Sequence, residues 1–245
     1  MLGITVFGLV FIVVVICAVA ALSGAGRGVI EIELPEPAGT AGEDAEQGGA
    51  LPRPNAVEVS ADNIQDVIAS LRRPEAYTRD IMVESFWSGG NSVTNLSVSV
   101  TPGAAALRVL SGGAEKNIVT TPERTYIWYA GETSVFETAS DGEYGAAADE
   151  YQMIPTYEDI LRLPRGDIKE AGYVGGDGAE LYVRYVSGTL GYETRCRVSI
   201  RLGLLTYAEI YDGETPIYRM TAGECRVGEP DARAFTLPDG RNAAG

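Results

Sequence analysis

The chain has 245 residues, 45% of them hydrophobic, and its 19 Lys and Arg face 34 Asp and Glu for a net charge of −15. That balance excludes a polyanion-binding protein, since a phosphate backbone needs clustered cations and runs such as Arg72-Arg73 are too short. No histidine is present, which removes every triad and zinc site built on that residue together with the usual physiological pH switch.

In chain order, Leu2–Leu22 is uncharged and rich in Val, Ile, Leu and Phe. At a rise of ~1.5 Å per residue it spans ~32 Å, about one hydrocarbon thickness. A cleaved secretory signal competes with this reading, helped by the small residues Ser23-Gly24-Ala25. Against it, no Lys or Arg precedes the apolar run and the run is too long. A lipoprotein would use Cys17, but Val15-Ile16 are bulky for such a cleavage site. We expect residues 1–25 to be an uncleaved transmembrane anchor, since an acidic surface is repelled by anionic headgroups and needs one. Arg27 is the only nearby cation, so the positive-inside rule sets the orientation weakly. Residues 26–58 are acidic, rich in Pro, Gly and Ala and aperiodic, a flexible linker. Residues 59–240 form the expected folded domain, about 180 residues and enough for one core; residues 241–245 are expected to be a disordered tail.

The domain opens on Ser60 as an N-cap, with Ile64, Val67, Ile68 and Leu71 at helical spacing and a stop at Pro74. Alternation and turn residues then predict strands near 77–87, 93–101, 105–111, 116–121, 124–130 and 133–138. Ile81, Val83, Ser85 and Trp87 share one face of the first, and Leu96, Val98 and Val100 one face of the second. A Gly-rich acidic loop follows at 140–150, then a short helix Tyr157–Leu163 capped by Thr156 and closed by Pro164. Strands resume near 168–174, 179–187, 192–201, 204–212 and 215–225, the last two joined by Asp212-Gly213-Glu214, a strong hairpin signal. The fold class is therefore mainly β (α+β), an antiparallel sheet of about eleven strands. So large a sheet curls, giving an incomplete barrel with a long N-terminal helix across its mouth and a short second helix over the concave face.

Cys196 and Cys225 could pair in an oxidising compartment. The predicted hairpin opposes this, because it sets Cys225 near the 202–204 turn and Cys196 several residues up its own strand.

The order of helix, six strands, loop with short helix and five strands resembles the lipoprotein carrier and sorting (LolA/LolB-like) superfamily. Its relatives include lipid-sensing domains of sigma-factor regulators and germination-associated lipoproteins. The likeness is carried by Thr125-Tyr126-Ile127-Trp128-Tyr129, Ile154-Pro155-Thr156-Tyr157-Glu158-Asp159-Ile160-Leu161, Gly203-Leu204-Leu205 with Ala208-Glu209, and Phe235-Thr236-Leu237-Pro238. The resemblance implies a half-barrel whose apolar concave interior holds acyl chains or, in some members, a protein partner. It also implies a basic residue that locks the lid, for which Arg79, Arg108, Arg184 and Arg219 are candidates the sequence does not separate. An uncleaved anchor departs from carriers that shuttle after signal cleavage.

No phosphate loop, Gly-x-Ser-x-Gly, Cys-x-x-Cys or calcium-loop spacing occurs, so no catalytic, cofactor or metal residues are assigned. Asp149-Glu150, Glu158-Asp159 and Asp141 with Glu143 are acid pairs, which suit solvated loops or the positive end of a helix better than acid–base work. Asn95-Leu96-Ser97 matches a glycosylation acceptor, but mid-strand. The candidate cavity lining is Ile81, Val83, Trp87, Leu96, Val98, Val100, Tyr126 and Trp128. The leading expectation is a non-catalytic, membrane-tethered, extracytoplasmic monomer of a bacterial envelope that binds lipid or a lipoprotein acyl chain, with no nucleic-acid partner. The alternative is an adaptor, for example in sporulation or germination, that docks another envelope or cell-wall protein without binding lipid. An unfilled apolar lining would favour lipid, and a plugged one the adaptor.

Overall fold

The computed structural model describes residues 58–140, 154–174, 179–188 and 190–244. The expected anchor, nearly all of the linker, and Asp141, Glu143, Asp149 and Glu150 lie outside the described residues. Among those described, no helix is long and apolar enough to cross a membrane.

The elements run α1 (Ile64–Ser70), β1 (Tyr77–Trp87), β2 (Gly90–Thr101), β3 (Ala104–Ser111), β4 (Ala114–Thr120), β5 (Arg124–Tyr129), β6 (Phe136–Ala139), α2 (Tyr157–Arg162), β7 (Ile168–Val174), β8 (Glu180–Val186), β9 (Glu193–Ser199), β10 (Leu205–Asp212) and β11 (Thr215–Val227). All eleven strands join one sheet in the order β6-β5-β4-β3-β2-β1-β11-β10-β9-β8-β7. Every pairing is antiparallel. Two meanders, β1–β6 and β7–β11, meet at the β1–β11 pair, so the ends of the domain's chain lie side by side at the sheet centre. The β10–β11 connection is the two-residue turn expected from Asp212-Gly213: Asp212 pairs Thr215, and Gly213 takes φ 60. Between β1 and β11 the register slips, so Gly223 and Glu224 together oppose Asp80, a bulge at the seam.

Alternate residues of the strands make one apolar face. Ile118 on β4 and Leu181 on β8 belong to the same buried cluster as Ile64, Ile68 and Ile160 of the two helices. Seven strand spacings at ~4.8 Å would set β4 and β8 roughly 34 Å apart in a flat sheet. Helices of seven and six residues are each only about 10 Å long. A single cluster is possible only if the sheet curls round them. The edges β6 and β7 do not pair with each other, so the curl is open, with the helices inside it.

The outer, convex face is treated differently along its length. Behind β3–β5 the C-terminal segment closes it: Phe235 and Leu237 are buried, and Phe235 clusters with Ala104, Ala106 and Val119, with Tyr126 and Trp128 packed against the group. Arg241–Ala244, read from sequence as a tail, fold back here, with the Leu237 N–H donating to the Arg241 carbonyl (2.8 Å) and the Ala243 N–H to that of Phe235 (2.9 Å). Behind β7–β11 the face is polar and paired. Arg184 bonds Glu170 (3.0 Å) and Glu193 (3.2 Å), and Arg219 joins Glu209 (2.7 Å) to Glu84 (3.4 Å). Arg195 and Arg197 lie over the rings of Tyr211 and Tyr207 at 4.4 and 5.3 Å. Burial pushes the Glu209 carboxyl up, but hydrogen bonds from Tyr207, Arg219 and Tyr211 outweigh it and hold the group below the usual carboxylate range.

Three sequence expectations need correction or settle here. The N-terminal helix is short, Ile64–Ser70, and Asn63 rather than Ser60 is its N-cap residue. Ser60 instead starts the preceding turn, its N–H donating to Asn63 Oδ1 (2.9 Å). Cys196 sits level with Ala208 and Met220, whereas Cys225 is opposite Arg79. Five residues along β11 separate those levels, roughly 16 Å, and both thiols are free. Burial pushes the Cys196 thiol up to about 12, which makes it an inert core residue.

Candidate functional site

The concave face is where the sequence places a cavity, and the two helices fill most of it. Ile64 and Ile68 of α1 and Ile160 of α2 are fully buried against the sheet. Neither helix is long enough to be stable alone, so each is held by clamps to the other. The Gln65 amide of α1 donates to the carbonyls of Ile160 (2.9 Å), Leu161 (3.3 Å) and Leu163 (2.9 Å), the open C-terminal end of α2. Arg165, just after α2, returns the contact through the Asp62 carbonyl (2.8 Å) and both oxygens of Asp66 (3.0 and 3.1 Å). At the other end of α2, Asp159 accepts from the Thr156 N–H (2.7 Å) in a capping box. Burial raises the Asp159 carboxyl above its usual range, with the Thr156 N–H pulling the other way.

Arg73 ties the end of α1 to the start of α2. Its guanidinium donates to the carbonyls of Ile68 (2.8 Å) and Leu71 (2.9 Å) and lies 3.6 Å from the Tyr157 ring centroid. Gly203, in the β9–β10 turn, presses on this junction with φ +63; a Cβ there would stand 2.8 Å from Arg73 Cγ and 3.0 Å from the Arg72 carbonyl.

Among the described residues a cavity of about 180 Å³ lies beside the helices, lined by Tyr77, Val98, Val100, Leu204 and Leu205 of the sheet and its turns and by Arg73, Pro74 and Tyr157 at the helix junction. Arg79 lines it as well, buried at 4% exposure, with Nη1 donating to the Leu205 carbonyl (3.0 Å). Burial, and after it Glu158, raise the Tyr157 phenol above its usual range, so this hydroxyl stays protonated. The cavity offers an apolar wall, one buried cation, a stacked Arg–Tyr pair, and the Thr156 hydroxyl and Glu158 carboxylate at its α2 side. These groups suit binding; of the hydroxyl–carboxylate contacts at the cavity, Thr156 to Asp159 (3.4 Å) belongs to the helix cap and the other joins neighbours Tyr157 and Glu158.

Of the eight residues proposed from sequence, Ile81, Val83, Leu96, Val98 and Val100 come together on the concave face within one core cluster. Val98 and Val100 reach the cavity itself; the other three do not line it. Trp87 ends β1 at 57% exposure, over Gly90. Tyr126 and Trp128 lie on the opposite face, against Phe235. Neither tryptophan plugs the interior; the isoleucines of α1 and α2 do. Among the four arginines raised as lid locks, Arg79 alone faces inward, while Arg108, Arg184 and Arg219 are engaged on the convex face with Glu115, Glu170 and Glu209. Arg73, Tyr157, Leu204 and Gln65 were not among the cavity candidates, although Tyr157 and Leu204 lie in segments that carry the resemblance. Only Arg73, a cation at a helix C-terminus, carried a local signal.

No protein-family model matches the chain, and neither does any curated protein. Several solved structures are partly similar, including these two. A DUF1329 family protein from Desulfovibrio piger ATCC 29098 aligns at TM-score 0.36 and 7% identity, over 71% of this chain and 95% of the other. MucB, crystallised in complex with MucA(peri), aligns at TM-score 0.42 and 16% identity, over 71% of this chain. The matched region spans 58% of the MucB chain. At these scores the likeness is partial, and the site is read from its own geometry.

Proposed function

We propose that this chain is a non-catalytic, membrane-tethered adaptor of a bacterial envelope, whose extracytoplasmic half-barrel docks another protein on its outer surfaces. One observation carries this reading: Ile64, Ile68 and Ile160 occupy the concave interior as ordinary core, and the cavity beside them among the described residues is about 180 Å³. Small-molecule and cofactor pockets usually hold about 300–1,000 Å³, so this cavity is small for an acyl chain. The uncharged run Leu2–Leu22 supports the tether. A second reading, capture of an acyl chain, draws on the apolar walls of the cavity and the buried Arg79 beside them, and it requires the helices to leave the interior. Native mass spectrometry of residues 51–245, purified without detergent from a bacterial envelope, separates the two. The adaptor predicts the bare protein mass; a stoichiometric adduct of lipid mass would replace it with the acyl-chain reading.

A further inference from the structure

Between the paired lattice behind β7–β11 and the C-terminal cover behind β3–β5 lies a stretch of convex face that neither occupies. It is a groove of about 500 Å³ along the β11–β1–β2–β3 strands, bordered by Asp80, Met82, Asn95, Ser97, Arg108, Leu110, Thr221 and Gly223. The register makes its floor two cross-strand rows, Thr221–Met82–Asn95–Leu110 and Gly223–Asp80–Ser97–Arg108. The bulge creates the depth, because β11 meets Asp80 with a glycine, whose added Cβ would approach the Asp80 carbonyl to 3.4 Å.

The groove's chemistry contrasts with its neighbours. Behind β7–β11, Glu170, Glu193 and Glu209 all meet a guanidinium, as does Glu84 at the far end of β1. In the groove, the side chains of Asp80, Asn95, Ser97 and Thr221 have no hydrogen-bond partner among the described residues. Arg108 is committed to Glu115 (2.5 Å), so it does not neutralise Asp80. Glu224 is exposed beside the bulge, and Arg226 lies one row away opposite Thr78. Met82 and Leu110, 39% and 46% exposed, supply the apolar border.

We propose that this groove docks an extended cationic segment of a partner protein. A Lys or Arg of that segment meets the Asp80 carboxylate, and an adjacent apolar side chain rests on Met82 and Leu110. Charge complementarity selects this occupant, since a chain of net charge −15 disfavours an acidic one. The inference rests on the protein-partner reading and gives it a location and a chemistry.

The test is fluorescence anisotropy of the full chain with a labelled octapeptide alternating Lys and Leu, against a Glu–Leu counterpart. The Lys–Leu peptide binds and the Glu–Leu peptide does not. Asp80→Asn weakens binding about tenfold, the loss of one charge-assisted contact, and Leu110→Ser weakens it severalfold. Asp212→Asn, exposed at the β10–β11 hairpin, changes net charge equally and leaves binding unchanged. Absent binding, or equal losses from Asp80→Asn and Asp212→Asn, overturns the groove. Tight binding that ignores Asp80 also overturns it while leaving the protein-partner reading standing. A stoichiometric lipid in the native mass spectrum defeats that reading whatever the peptide does.

Discussion

Ile68→Ala is expected to lower the domain's stability by about 2–5 kcal/mol, the range for truncating a fully buried isoleucine. The side chain is fully buried and sits one turn from Ile64, and the two are the fully buried residues of α1, with Val67 packed beside them. At seven residues the helix is well below the ~12–15 needed for autonomous stability. Its existence therefore depends on that packing. Ile68→Val, which keeps most of the volume, should cost about 0.5–1.5 kcal/mol. Urea denaturation checks both; a midpoint for Ile68→Ala equal to the parent's would mean that α1 rests on the sheet without belonging to the core.

Gly203→Ala is expected to cost about 2–5 kcal/mol. A non-glycine residue in the left-handed region loses about 1–2 kcal/mol, and here φ is +63. The rest is steric: the new methyl would meet Arg73 Cγ at 2.8 Å and the Arg72 carbonyl at 3.0 Å, and displacing packed atoms costs about 1–3 kcal/mol. Because Arg73 bonds the last carbonyls of α1 and stacks on Tyr157, the strain is delivered to the junction of the two helices. Gly213→Ala is the control, with φ +60 but nothing within 4 Å of the added atom; it should show the backbone part alone. Equal midpoints for the two variants would remove the claim that the β9–β10 turn presses on the helices.

The strands were visible in the sequence because alternation and glycine turns are local signals. β1 and β7 end at the expected residues, 77–87 and 168–174, and the Asp212-Gly213 hairpin sits where its chemistry puts it. The start of α1 was misplaced because Ser60 and Asn63 are both cap-competent, and a hydrogen bond between them, formed only in the folded turn, decides the matter. The face of β5 was ambiguous for a different reason. Tyr126 and Trp128 do share a face, but Ile127 on the other side is the one that meets the main core. Both faces of β5 are covered, so alternation shows the pairing of side chains without showing which side is inside. The plug itself was hidden. Gln65 reaches carbonyls 95 to 98 residues away, and no local pattern in either segment announces a contact of that kind.

Hydrogen exchange along the full chain tests the closed interior most directly. If the helices are core, the amides bonded within α1 and α2 exchange only by the opening that also releases β1, β2 and β10, and their protection tracks the sheet's across denaturant. Amides of α1 and α2 that exchange orders of magnitude faster than those of the sheet would show a lid already leaving the interior, contradicting the filled half-barrel and favouring capture of an acyl chain.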